Sequence, residues 1–123
     1  MLKHVLAGIL AAGLSTAALA SGPERGPNGG WKVDAGSRHH VEVVLDGSTN
    51  VVVYVSNERS QPIPATGFAG NATIVVNGTT HRFPLTAGEG SRLTGTAPAP
   101  IPTGSKGAIQ LTVPGGSTVR ATF

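Results

Sequence analysis

Between the runs NATIVV (71–76) and TTHRFPL (79–85) stands the pair Asn77-Gly78. These are the two residue types best able to take positive φ at both central positions of a type I′ turn, whose twist matches that of two antiparallel strands. The pair predicts a hairpin and its register: Val76 opposite Thr79, Ile74 opposite His81, Ala72 opposite Phe83. Strand alternation then gathers Ala72, Ile74, Val76, His81, Phe83 and Leu85 on one face, and Thr73, Val75, Thr80 and Arg82 on the other. The first set is the predicted core face, with His81 in it or at its rim.

The same period recurs from Trp31 onward, and no stretch of ten or more residues places apolar positions at helical spacing, so the expected class is all-β. In HHVEVVL, His39, Val41, Val43 and Leu45 share a face opposite His40, Glu42 and Val44. NVVVYV is apolar on both faces and reads as a central strand, with Val51, Val53 and Val55 beside Leu45, Val43 and Val41. In GAIQLTVPGGSTVRATF a two-residue Gly115-Gly116 loop would set Leu111 against Arg120. A three-residue loop, Pro114 to Gly116, matches Leu111 with Val119 and Ile109 with Ala121, and is the predicted one. WKVDA and SRLTGT add short strands, bringing the runs to eight, near the about seven strands expected of the fold. Long crossings at Glu58–Gly67 and Ala97–Gly107 suit an immunoglobulin-like Greek-key β-sandwich. A lone tryptophan, Trp31, is expected to plug one end of the core.

Residues 1–20, MLKHVLAGILAAGLSTAALA, have a short cationic start, an apolar middle and small residues at the end. That is the layout of a cleaved signal peptide, and the apolar part is too short for a permanent membrane anchor. The expected product is periplasmic or secreted, with no membrane span after cleavage. Residues 21–30, SGPERGPNGG, read as a flexible Gly/Pro-rich lead-in, and 31–123 as the domain. The chain has no cysteine, so its core is expected to hold the fold without disulfides. Its net charge of +3 is spread over scattered Lys and Arg, and aromatics make up 4% of residues, which argues against a nucleic-acid reader.

GPNGG ahead of a short strand, AGSRHHVEVVLDG, VYVSNERSQPIPATGFAG, LTAGEGSRLTGTAP and LTVPGGSTVRATF together resemble small periplasmic domains associated with heavy-metal efflux. They are similar to the segment found ahead of, or encoded beside, the periplasmic adaptor of resistance-nodulation-division metal exporters. The resemblance spans about residues 26–123 and implies a β-sandwich working near copper, zinc, cobalt or nickel traffic, with a periplasmic efflux adaptor or another envelope protein as partner. The positions that match a metal motif are His39-His40 with Glu42. The single methionine, Met1, leaves the mature chain without the methionine clusters of a Cu(I) carrier.

From the residues themselves, neighbouring side chains of a regular strand point to opposite faces, so His39 and His40 chelate one ion only if the strand start is irregular. Two other donor sets are open: His40 with Glu42 on the outward face, and His39 with His81 meeting at the sandwich edge. Either would suit a divalent ion, copper, zinc or nickel. The alternative is a metal-free module in which His81 bonds a backbone carbonyl at the core rim, and the other two are edge polar residues. No pair of carboxylates is spaced for acid and base roles, and no serine has a nucleophile-elbow context, so the expected protein is not an enzyme.

Overall fold

The computed structural model describes residues 22–123; the expected signal peptide, 1–20, lies outside them. Nine strands run in chain order: β1 (Glu24–Arg25), β2 (Trp31–Ala35), β3 (His39–Leu45), β4 (Asn50–Asn57), β5 (Ala69–Val76), β6 (Thr79–Ala87), β7 (Arg92–Thr96), β8 (Lys106–Thr112) and β9 (Thr118–Thr122). All neighbours pair antiparallel, in the order β1-β2-β3-β4-β7-β6-β5-β8-β9. No helix occurs among the described residues.

The hairpin at Asn77-Gly78 forms as its turn chemistry requires, with φ of 50° and 80°. Its register sets Val76 opposite Thr79, Ile74 opposite His81 and Ala72 opposite Phe83. The β8–β9 hairpin closes through the three-residue loop, with Leu111 opposite Val119 and a Val113 N–H to Ser117 O bond of 2.9 Å. On β3 and β4, Val41, Val43 and Leu45 face Val55, Val53 and Val51.

The sheet is curled. β6 and β7 share only two residue pairs, Thr86 with Thr94 and Ala87 with Leu93, so the ladder nearly parts there. At the far side β2 comes against β9: a Cβ on Gly36 would lie 2.9 Å from Val119 Cγ1. One cluster fills the interior, with Val41, Val43, Val53 and Leu93 from the β2-β3-β4-β7 part and Ile74, Leu85, Ile109 and Leu111 from the β6-β5-β8-β9 part. The two crossings contribute as well, since Ala65 and Ile101 are fully buried.

Nine strands stand where about seven were expected. One of them lies in the stretch read as a lead-in: Glu24 and Arg25 pair with Lys32 and Trp31. The turn after it is closed by Gly26 N–H to Gly30 O at 2.9 Å and Gly29 N–H to Gly26 O at 3.1 Å. Its Gly/Pro composition looks like linker, because the partner that orders it, Glu42, is distant in sequence. Gly30 must be glycine for a spatial reason: a Cβ there would sit 2.4 Å from the Val43 carbonyl oxygen.

Candidate functional site

The four expected ligands are placed by β3 and β6. Glu42, the one buried charged residue among those described, is 4% exposed although it points to the outer face of β3. The Gly26–Gly30 turn covers it. Glu42 Oε2 accepts the backbone N–H of Asn28 at 2.8 Å and of Gly30 at 2.7 Å, and Oε1 accepts Asn28 Nδ2–H at 2.9 Å. Three donors replace the water lost on burial, which makes Glu42 a clasp for the β1–β2 turn and takes its oxygens out of the expected pairing with His40.

His40 is likewise engaged. Its Nδ1 lies 3.0 Å from the Asn57 carbonyl oxygen, and since a carbonyl only accepts, Nδ1 carries a proton and donates it. Nε2 then faces Asp34 Oδ1 at 3.1 Å, on the neighbouring strand β2. The outward partner of His40 is therefore Asp34. Cross-strand pairing of Asp34 with His40 sets this contact, whereas Glu42, two residues along the same strand, is held by the turn above it.

His39 and His81 do not meet. His39 pairs with Ala35 and Asn57 at one end of the sheet, the end that Ala87, Ala69, Thr112 and Thr118 reach on the other strands. His81 stands opposite Ile74, which pairs with Gly107, whose N–H binds the Phe123 carbonyl at the other end. The span along β6 from Ala87 back to His81 is about 20 Å at the rise of a strand. His81 faces inward and is half-buried at the rim, as the hairpin register requires. Among the described residues, no three or more His, Cys, Asp and Glu side chains group as a metal site.

What stands beside His39 is a groove. The β2–β3 turn, the β4–β5 crossing and the β8–β9 hairpin converge on a cleft of about 710 Å³. Ile63, Pro64, Phe68, Val113, Pro114 and Val119 supply its apolar lining, and Ser37, Arg38, His39, Thr66 and Ser117 its polar atoms. The His39 ring stands edge-on to Phe68, centroids 5.5 Å apart and planes at 82°. Gly67, with φ of 86°, turns the crossing so that its backbone comes against Pro114. At the opposite end Trp31 is half-buried, with the Arg25 guanidinium 4.4 Å above its ring, and it borders smaller clefts with Thr103, Gly104 and Phe123.

Phe68, Arg38 and Pro114 carry no sequence signal as site residues. Phe68 follows Gly67 at the end of the crossing, and only the curl of the sheet brings it to the same cleft as Pro114. Comparison of the chain with protein-family models, with curated proteins and with solved structures finds no match.

Proposed function

We propose that this chain is a non-enzymatic interaction module of the cell envelope, an immunoglobulin-like Greek-key sandwich acting in the periplasm or outside the cell, which holds a partner protein in the groove at its His39 end. The groove carries this reading. It is an open, mostly apolar cleft of about 710 Å³, within the size range of ligand sites, with its few polar groups at the margin. The strand order supports the architecture, because β5, β6 and β7 follow one another as neighbours and β8 returns beside β5. Commitment of Glu42 and His40 to backbone-anchoring bonds favours binding over chemistry at those side chains. The sequence resemblance makes the periplasmic adaptor of a heavy-metal exporter the first partner to try.

The test is a photo-crosslinking amino acid at Thr66, in the groove, and at Arg82, on the outer face of β6, in protein exported by living cells. An adduct with one envelope protein from Thr66 alone is expected. No adduct at Thr66, or equal adducts at both sites, would end this reading.

A second reading, weak capture of a divalent ion, is favoured by one observation: with Nδ1–H given to a carbonyl, His40 Nε2 is oriented as a ligand nitrogen, and Asp34 Oδ1 stands beside it. Calorimetric titration with copper, nickel and zinc should then give one weak binding event that His40→Ala abolishes and His81→Ala leaves intact. A silent titration removes it.

A further inference from the structure

We infer that the groove beside His39 selects an acidic, apolar peptide segment: one or two aliphatic or aromatic side chains seated against Phe68, flanked by carboxylates that meet Arg38. This rests on the interaction-module reading and names the chemistry of its partner.

Charge carries the inference. The lining holds one guanidinium, Arg38, and one imidazole, His39, and no carboxylate. Arg38 is exposed and has no acidic side chain within ion-pair distance among the described residues; the Lys and Arg ion pairs there join Lys32 to Glu24 and Arg92 to Glu89, and Asp34 stands beside His40. Two other acids lie close in sequence to the elements of this end, Glu58 and Glu89. Neither lines the groove, and Glu89 stands exposed 3.9 Å from Arg92.

Shape adds a second constraint. The floor is set by buried Phe68 and half-buried Ile63, Val113 and Val119, so an occupant needs apolar groups to displace water from it. The rim hydroxyls of Thr66 and Ser117 and the cationic Arg38 then meet the polar main chain and acidic side chains of an extended segment. A wholly polar acidic ligand would leave the floor wet, and a wholly apolar one would leave Arg38 without a counter-charge.

The experiment uses the mature protein and three fluorescent hexapeptides: two central leucines flanked by aspartates, the same with asparagines for aspartates, and the same with serines for leucines. Fluorescence polarisation gives affinities and amide shift mapping gives the location. The aspartate-leucine peptide should bind at least fivefold tighter than either control, lose affinity between 50 and 300 mM salt as exposed charge pairs do, and shift amides around Phe68 and Ser117. Arg38→Ala should remove most of the advantage over the asparagine peptide. Ser117→Glu, an exposed change that threatens no core contact, should weaken binding at least fivefold, and Arg82→Ala should leave it unchanged. Equal binding of the aspartate and asparagine peptides in the groove overturns the acidic preference while the module reading survives. No peptide binding together with a Thr66 crosslink does the same, and no binding with no crosslink ends both.

Discussion

Glu42 is the residue on which the N-terminal part of the fold depends. Replacing it with alanine leaves the Gly30 N–H buried without an acceptor and frees both donors of Asn28, and the loss of one such buried pairing costs about 1–3 kcal/mol. With charged acceptors involved, Glu42→Ala should lower stability by about 3 kcal/mol in urea unfolding. Glu42→Gln should cost clearly less, because an amide oxygen still reaches the two backbone donors and Asn28 can turn its own amide. Equal losses in the two variants would show that the packing of the side chain matters and its acceptors do not. Asp46 makes a separate prediction. Hydrogen bonds from the Ser48 hydroxyl and backbone N–H hold its carboxyl below the ordinary value of 3.8. A group depressed on folding adds stability above its unfolded pKa and loses it as pH falls through the lower folded one. Carbon-13 titration of Asp46 should thus show a midpoint below 3.8, and Ser48→Ala should move it upward.

At the scale of elements, the β5–β6 hairpin depends on its turn. Gly78 has φ of 80°, where an L side chain strains the backbone, so Gly78→Ala should cost about 1–2 kcal/mol, read as a lower thermal midpoint of the whole domain. The turn was legible because its requirement is local: two adjacent residues either accept positive φ or do not. The same holds for the β8–β9 loop, where only one loop length matches Leu111 with Val119. The clasped β1–β2 turn was not legible. SGPERGPNGG has the composition of a linker, and what orders it is a carboxylate twelve and fourteen residues away that alternation alone assigns to solvent.

For the whole molecule, the two crossings join the core and tie together the parts of the curled sheet. Ile101 in the second crossing is fully buried, so Ile101→Ala should lose about 2–5 kcal/mol with no change in the urea m-value, despite lying outside every strand. A loss under 1 kcal/mol would mean that the crossing rests on the core without stabilising it. The strands from Trp31 onward, the β5–β6 and β8–β9 registers and the β3–β4 pairing were decided by the sequence alone, since period-two alternation and turn conformation act between residues close along the chain. Which strand ends share a margin was decided only by the tertiary structure. The order β4-β7-β6-β5 separates His39 from His81, and the curl that seats β2 against β9 brings Arg38, Phe68 and Pro114 around one groove. Those contacts are between segments far apart in sequence, and no local rule of conformation reports them.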